Sequence, residues 1–250
     1  MQRYFVAQQN VSAEREQVVI VGDDVTHIAR VMRSSVGDEL ICCDEQGACY
    51  LCKIEQIEKE EILCRMVEKL SLDRELPIRV TVAQGLPKGD KMEWVIQKGT
   101  ELGAGAFVPF TSSRTVVQLD AKKEQKRLER WSKIAKEAAE QAHRQFVPAI
   151  EPVHSWKQLL QLSKDYDLAL LAYENEQTKT LHEALAAFDT TSSILMVIGP
   201  EGGFSETEVK EAMQFGFLPV MLGKRILRTE TAALYGLSCL SYYYEQLGGR

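Results

Sequence analysis

The spacing of apolar residues changes character near residue 70. Before that point, three short strand-like runs occupy residues 41–43, 48–54 and 62–67, and the second of them has the alternating pattern that is typical of a half-buried β-strand. The turn residues Asp44–Gly47 separate the first two runs and predict a β-hairpin. The first part of the chain is therefore predicted to be a small β-rich unit.

One segment of this unit, 27–33, has helical rather than alternating spacing. Its inward face is predicted to hold Ile28, Val31 and Met32. Its exposed face is predicted to hold the cations His27, Arg30 and Arg33. The charged stretch 68–77 follows and ends in proline. We place the domain boundary there, with one domain at 1–72 and another at 73–250.

After the boundary, strand-like runs alternate with helix-like segments. Strands are predicted at residues 79–83, 106–110 and 218–222, and the continuous apolar runs at 167–172 and 194–198 are typical of parallel strands buried on both faces. A long helix is predicted at 121–143, and a final helix is predicted to bury Ala233, Leu237, Leu240, Tyr244 and Leu247. Asp90 with Glu93, and Ser205 with Glu208, are predicted to cap two further helices. This pattern predicts an α/β domain on a parallel sheet.

Two loops of this domain, each between a strand and a helix, are the candidate site. Residues 199–204 read GPEGGF, and residues 222–229 read LGKRILRT. Such loops converge at the carboxyl ends of parallel strands, where ligands bind. The first loop lacks the lysine of a P-loop and the glycine spacing of a dinucleotide site, and the carboxylate of Glu201 would repel a phosphate. Taken alone, this loop could also be a tight turn before a capped helix.

The second loop narrows the class of ligand. Ile226 and Leu227 are apolar residues in a loop, which favours contact with a flat apolar group over exposure to water. Arg228 and Thr229 place hydrogen-bond donors near the start of a helix. Together the loops predict a pocket for a ligand that has a flat ring and, separately, a positive centre.

The composition limits which cellular compartment and which classes of partner we expect for this protein. The chain has 250 residues, of which 45% are hydrophobic and 26% charged, with a net charge of −6. It has no signal-peptide core at its start and no run near the roughly 18 apolar residues of a membrane span, so we expect a cytoplasmic protein. The acidic average argues weakly against nucleic acid but leaves local basic patches open. Cys49 and Cys52 have the spacing of zinc ligands, but their strand-like context favours ordinary thiols and no metal.

Five blocks in order resemble the RsmE family of 16S ribosomal RNA (uridine-N3) methyltransferases, which belongs to the SPOUT (trefoil-knot) superfamily. The blocks are residues 27–33, 96–103, 137–144, 198–209 and 222–237. Ala139 and Ala142 stand where the family usually carries small hydroxyls. The resemblance implies a SPOUT-type α/β methyltransferase domain with a trefoil knot around loops 199–204 and 222–229. It also implies a preceding PUA-like β-barrel that binds RNA, and a homodimer.

The resemblance further implies S-adenosyl-L-methionine as cofactor, with its sulfonium as the positive centre and its adenine as the flat ring. Its expected contacts are Leu171, Ile198, Gly199, Pro200, Gly202, Leu222, Gly223, Ile226, Leu227, Thr229 and Ala232. Glu201 is the candidate base that removes the uracil N3 proton, and Arg228 would stabilise charge on the uracil oxygens. Bracing of the loop by backbone N–H bonds to Glu201 is an equal alternative.

The expected RNA contacts are His27, Arg30, Arg33 and Arg144. The long helix carries more lysines, but the acids among them make a solvated face an equal interpretation. For Arg144, a helix C-terminus favoured by positive charge is also an equal interpretation. The implied partner is 16S ribosomal RNA, free or in the small subunit, with no membrane and no metal. A ribose 2′-O-methyltransferase of the same fold stays open, as does a non-catalytic RNA-binding factor, although the latter gives the two loops no purpose.

Overall fold

The computed structural model describes residues 1–174, 179–188 and 192–248. The chain divides into two compact units. The first comprises Met1–Glu75 and Ala139–Val147, and the second comprises Leu76–Ala138 and Pro148–Arg250. The first unit thus includes a segment from the far end of the long helix. No described helix is both long and apolar enough to cross a bilayer.

The first unit is built on a six-stranded sheet. Its strands are β1 Arg3–Phe5, β2 Val11–Ser12, β3 Gln17–Val21, β4 Glu39–Cys43, β5 Cys49–Ile57 and β6 Glu61–Leu70. They are ordered β1-β4-β5-β6-β3-β2, with β1 parallel to β4 and all other neighbours antiparallel. The predicted hairpin is confirmed as β4 and β5, which pair from Glu39 opposite Lys53 to Cys43 opposite Cys49.

The helical segment of this unit differs from its prediction. A short helix, α1 (Asp23–Thr26), continues into a π-helical turn at His27–Val31. Ile28 is buried as predicted, but Val31 is 65% exposed and Met32 is 40% exposed. The inward prediction for these two residues is wrong because a π turn holds more residues than the α-helical turn that the spacing assumed.

The cysteines also differ in part from their prediction. Cys43 and Cys49, which are register partners at the end of the hairpin, form a disulfide rather than two thiols. Cys42, Cys52 and Cys64 are buried thiols. Within the described residues, no group of three or more His, Cys, Asp or Glu side chains could hold a metal ion.

The second unit is an α/β layer structure, which confirms the predicted class. Its strands are β7 Arg79–Gly85, β8 Ala106–Thr111, β9 Ala149–Ile150, β10 His154–Ser155, β11 Leu168–Ala172, β12 Lys179–Thr180, β13 Ser193–Ile198 and β14 Leu218–Met221. Its α-helices are α2 Lys91–Glu101, α3 Ala121–Gln141, α4 Trp156–Leu162, α5 Leu181–Ala186, α6 Glu206–Gln214 and α7 Thr229–Ser241, the last residues of α3 lying in the first unit. The strand order is β10-β8-β7-β13-β11-β14-β12, with β9 also on β8, and every ladder is parallel.

Two helix ends correct the sequence expectations. Asp90 precedes α2, but its side chain makes no capping bond, so the predicted cap with Glu93 is wrong. The last helix, α7, passes into a π-helical turn at Tyr242–Gln246. As a result Tyr243 is buried, whereas Tyr244 is half-buried and Leu247 is exposed, contrary to the prediction for those two residues.

Candidate functional site

A cavity of about 690 Å³ opens at the carboxyl ends of β13, β11 and β14, which are neighbours in the sheet of the second unit. It is lined by the loops after β13 and β14 and by Ala172, Tyr173 and Glu174 at the end of β11. Parallel strands bring their carboxyl ends to one edge, which explains why loops far apart in the sequence meet there. The volume lies in the roughly 300–1,000 Å³ range of small-molecule sites.

A chain of buried hydrogen bonds joins the two glycine loops. The Thr229 hydroxyl, at the start of α7, donates to the Gly199 carbonyl over 2.6 Å. The same hydroxyl accepts a bond of 2.7 Å from Nε2 of Gln84, near the end of β7. Gln84 Nε2 also donates to the Gly85 carbonyl at 3.0 Å. Because Gln84 and Thr229 are both buried, these bonds fix the second loop against the first without competition from water.

Gly85 lets the first loop approach β7 closely. A Cβ atom at this position would lie 2.6 Å from the backbone nitrogen and from Cδ of Pro200, and 3.0 Å from the Gly199 carbonyl carbon. These are backbone and ring atoms, which cannot rotate away. Gly85 is therefore required for the observed position of Gly199 and Pro200.

The far end of the first loop is held by the predicted capping box, which is confirmed. Ser205 Oγ accepts from the Glu208 N–H at 3.2 Å, and Glu208 Oε2 accepts from the Ser205 N–H at 2.8 Å. Glu208 Oε1 accepts a further bond of 2.8 Å from the Ser113 N–H, in the loop after β8. Burial alone would raise the pKa of Glu208, but these bonds outweigh it and lower the pKa below the ordinary value. One ionised carboxylate thus joins two loops at the cavity.

Glu201 is an ion-paired carboxylate at the cavity. Its Oε1 accepts from the backbone N–H of Lys88 at 3.0 Å and from Lys91 Nζ at 2.9 Å. Lys91 also lies 3.6 Å from a carboxylate oxygen of Glu230. Partial burial would raise the pKa of Glu201, but the bonds from Lys91 and Lys88 lower it below the ordinary value. Glu201 is therefore ionised at neutral pH, and its bond to Lys88 also braces the first loop.

The chemistry of the lining suits a ligand with a cationic centre and an apolar ring. The carboxylates of Glu174, Glu201 and Glu206 line the cavity and can attract a positive charge, and the cations Lys91, Arg114, Arg225 and Arg228 line it as well. Ile226 lines it as well and is 84% exposed, which leaves an apolar surface for a ring to cover.

Most residues that the sequence predicted for the cofactor lie together here. The cavity is lined by Ile198, Gly199, Pro200, Gly202, Leu222, Gly223, Ile226, Leu227, Thr229 and Ala232, and by the candidate catalytic residues Glu201 and Arg228. Leu171 is different, because its side chain is fully buried among apolar residues of the sheet and it is outside this lining.

Several cavity residues were not predicted from the sequence. Lys91, Arg114 and Tyr173 line the cavity but were not predicted, and Arg225 was quoted in its loop without a role. Lys91 begins α2 and Arg114 follows β8, so tertiary packing alone brings them to the site. No local motif marks either residue.

The predicted cations of the first unit separate into two groups. His27, Arg30 and Arg33 are exposed around the π-helical turn, and we call them the basic turn. The Tyr4 hydroxyl lies 3.1 Å from His27 Nδ1. Arg33 has a φ of 54°, a left-handed conformation that costs a non-glycine residue roughly 1–2 kcal/mol.

Arg144 is a correction to the expected RNA contacts. Its side chain is only 4% exposed and forms an ion pair with Glu75, whose carboxylate also accepts from the Gln145 N–H at 2.8 Å. A buried guanidinium that is bound to a carboxylate does not face solvent. We therefore exclude Arg144 from the proposed RNA contacts.

Comparison with known proteins is consistent with this site. A family described as RNA methyltransferase domain matches residues 74–241, and one described as RNA methyltransferase PUA domain matches residues 20–67. The whole chain is 48% identical to ribosomal RNA small subunit methyltransferase E of Bacillus subtilis, over 99% of that protein. It is 34% identical to the protein of the same name from Synechocystis, over 91% of this chain and 74% of that protein. Among solved structures, the Neisseria gonorrhoeae enzyme of this name, bound to S-adenosyl methionine, aligns with a TM-score of 0.84 at 28% identity, over 96% of each chain.

Proposed function

Because this chain belongs to the ribosomal RNA small subunit methyltransferase E family, we propose that it methylates N3 of one uridine in 16S ribosomal RNA. Its membership makes it an S-adenosylmethionine-dependent methyltransferase of small-subunit ribosomal RNA. The choice of N3 rests on one observation, the presence of ionised Glu201 and of Arg228 on the same cavity. Loss of the N3 proton spreads negative charge over the uracil oxygens, where a guanidinium can stabilise it.

The two glycine loops would hold the methyl donor. Ile226 and Leu227 provide apolar surface for the adenine, and the carboxylates of Glu201 and Glu206 oppose the positive charge. When bound, S-adenosylmethionine would supply a sulfonium methyl group for in-line transfer to an aligned nucleophile, with the sulfur leaving as a neutral thioether. Alignment can account for as much as about 7–11 kcal/mol of such a barrier. The bond from Thr229 to Gly199 keeps the two loops in the relative position that alignment requires.

The proton on N3 has to leave before N3 can attack. Both hydrogen bonds from Lys88 and Lys91 fall on Oε1 of Glu201, so we assign the proton transfer to Oε2. Among the described residues, no carboxylate lies within ion-pair distance of Arg228. We therefore assign to Arg228 the stabilisation of the negative charge on the uracil oxygens. The uridine has to be unpaired or flipped out of a helix to enter the cavity.

Glu201→Gln is expected to reduce the single-turnover methylation rate by roughly 10²–10⁴-fold, the usual contribution of a positioned base. Since the pKa of Glu201 is lowered from 4.5, the wild-type rate should not fall through loss of this base until the pH drops below that value. Rates measured from pH 5 to 9 test this. If the variant keeps the wild-type rate and pH profile, Glu201 only braces the loop.

Mapping reverse-transcription stops tests the function itself. Wild-type protein and S-adenosylmethionine should create a stop at one uridine of 16S ribosomal RNA, because N3 methylation removes a Watson–Crick donor. Omission of the methyl donor is the control. A ribose 2′-O-methyl group leaves the pairing edge intact, so methyl incorporation without a stop at ample nucleotide concentration would favour that alternative. Absence of incorporation into free RNA and into small subunits would contradict the proposal.

The basic turn is the proposed RNA contact of the first unit. Arg30→Ala should weaken RNA binding and reduce the slope of log affinity against log salt by about one, because one phosphate contact is lost. Its cofactor affinity should not change. Arg65→Ala is a matched control, since Arg65 is exposed in the same unit but paired with Glu55 at 3.2 Å. Equal salt slopes for the two variants would contradict this role.

A homodimer is also part of the proposal. Tyr235 belongs to α7 and Tyr242 begins its π-helical extension, and both side chains are exposed. Trp94 of α2, which packs on α7, is 61% exposed. A second copy would cover these aromatic side chains, of which Trp94 lies in the first turns of α2, whose first residue, Lys91, borders the cavity. Light scattering of the purified protein tests this, and a monomer mass would exclude it.

Three further properties complete the proposal. We propose that the chain passes through itself as a trefoil knot at the two glycine loops, which the bond between Thr229 and Gly199 supports by placing them in contact. We propose that the protein acts in the cytoplasm, where ribosomal RNA is found. We also propose that its substrate is 16S ribosomal RNA, free or in the small subunit, and the same stop assay with subunits and free RNA in parallel distinguishes the two.

A further inference from the structure

Arg114 is a cation of the cavity that lies outside both glycine loops. It follows β8 and lines the same cavity as Glu201 and Arg228, with an exposed side chain. Neither the motifs of the loops nor the five family blocks include it. Its position raises the question of which anion it binds.

The backbone around Arg114 is held by three sets of bonds. Ser112 and Thr115 close a turn, with the Ser112 N–H donating to Thr115 Oγ1 at 2.9 Å and the Thr115 N–H donating to the Ser112 carbonyl at 3.1 Å. The Ser113 N–H donates to buried Glu208, as described above. Arg114 Nη1 donates to the Gly202 carbonyl at 2.9 Å. The guanidinium is therefore positioned before any ligand arrives.

Gly202 makes this approach possible. A Cβ atom on Gly202 would lie 3.0 Å from Arg114 Cβ and 3.5 Å from Arg114 Cδ. The arginine side chain thus packs directly on the bare backbone of the first loop. The lack of a side chain at Gly202 therefore leaves the space that the Arg114 side chain occupies.

The charges around the cavity make Arg114 available to an anion. Lys91 is bonded to Glu201 and lies near Glu230, so its charge is already compensated. Arg114 has no carboxylate within ion-pair distance among the described residues. Its recorded bond to a carbonyl uses one N–H, and the remaining N–H groups can bind two oxygens of one anion.

We propose that Arg114 binds a backbone phosphate of the RNA next to the flipped uridine. This inference rests on the proposed function, because the RNA supplies the phosphate. The carboxylates of Glu174 and Glu206 line the cavity and would repel a nucleotide strand, and a positioned guanidinium offsets that repulsion. The carboxylate of the methyl donor offers a similar pair of anionic oxygens, and the experiment separates the two sources.

The test combines a protein variant with a changed RNA. In an RNA fragment that contains the target uridine, each of the two flanking phosphates is replaced in turn by a neutral methylphosphonate. The wild-type KM for one of these RNAs should rise by roughly tenfold, as for loss of one charged contact of about 1.4 kcal/mol. Arg114→Ala should raise the KM for native RNA by a similar factor and be insensitive to that methylphosphonate. Arg114→Lys should recover part of the loss, because lysine also binds phosphate as a point charge.

Cofactor binding and a surface control complete the design. Calorimetry should find the same S-adenosylmethionine Kd for wild type and Arg114→Ala. Lys157→Ala, which removes an exposed cation on α4 outside the cavity lining, should leave the KM for RNA unchanged.

Two results would overturn the inference. Additive losses from Arg114→Ala and from every methylphosphonate would show that the arginine and the phosphates act independently. A weaker cofactor Kd with an unchanged KM for RNA would assign Arg114 to the donor's carboxylate. Either result leaves the proposed function intact if wild-type protein still produces the reverse-transcription stop. Loss of that stop would instead contradict the function itself.

Discussion

Gly85→Ala is expected to give the largest loss of cofactor binding among single-methyl changes. The added Cβ would lie 2.6 Å from the backbone nitrogen of Pro200, so Gly199 and Pro200 have to move away from β7. Overpacking of this kind usually costs about 1–3 kcal/mol of unfolding free energy. Because the displaced residues line the cavity, we expect the S-adenosylmethionine Kd to rise by at least about tenfold, or 1.4 kcal/mol.

Gly105→Ala is the matched control for this change. A Cβ on Gly105 would make only ordinary contacts, at 3.5 Å from Arg79 Cγ and from the Val80 carbonyl, and its φ is not positive. Calorimetry with the donor and urea unfolding should separate the two alanine variants clearly. Wild-type donor affinity in Gly85→Ala would mean that the first loop does not hold the cofactor.

The second large effect is expected for Thr229→Val, which replaces the hydroxyl by a methyl group of similar size. Gln84 Nε2 would lose one acceptor, and the Gly199 carbonyl would lose the donor at 2.6 Å. A buried polar group left without its partner costs about 1–3 kcal/mol. We expect a loss of unfolding free energy of that size. We also expect weaker binding of the methyl donor, because no hydrogen bond from residue 229 would then join the two loops.

Thr229→Ser retains the hydroxyl and is the control for the valine variant. Thermal unfolding and donor calorimetry should place serine near wild type and valine well below it. If serine and valine lose donor affinity equally, the methyl group of Thr229 matters rather than its hydrogen bonds. Equal affinity in all three proteins would remove the hydroxyl from the proposed alignment of the loops.

The meeting of the two glycine loops could be predicted because it follows from one topological rule. Both loops were identified as connections from strand to helix, and strands in a parallel sheet end at a common edge. The capping box of Ser205 and Glu208 was predictable for a similar reason, since it depends on residues only three positions apart. Local and topological rules therefore located the site.

Helical spacing failed wherever the helix changed its type. The wrong burial predictions for Val31 and Met32 result from one π-helical turn, and those for Tyr244 and Leu247 result from another. An extra residue in a turn rotates every later side chain, so an inward position becomes an exposed one. No residue pattern in either segment indicates that the helix becomes π-helical there.

Partners that are distant in sequence account for the other differences. Arg144 was a candidate RNA contact only because Glu75 could not be foreseen as its partner. Lys91 and Arg114 reach the cavity from separate elements, through packing that no motif encodes. Cys49 was expected to be an ordinary thiol, although the predicted hairpin already placed it near Cys43 across the strands. Whether the other site residues have their assigned roles stays a prediction.

The membership of Ala139–Val147 in the first unit affects any attempt to separate or recombine the two halves of the protein. A fragment that stops at Glu75 would deprive the Arg3 guanidinium of the carbonyls of His143 and Arg144, its two acceptors. Glu75 would at the same time lose the Arg144 guanidinium. Grafting the first unit onto another enzyme therefore requires a discontinuous transplant, in which residues 139–147 are transferred together with residues 1–75.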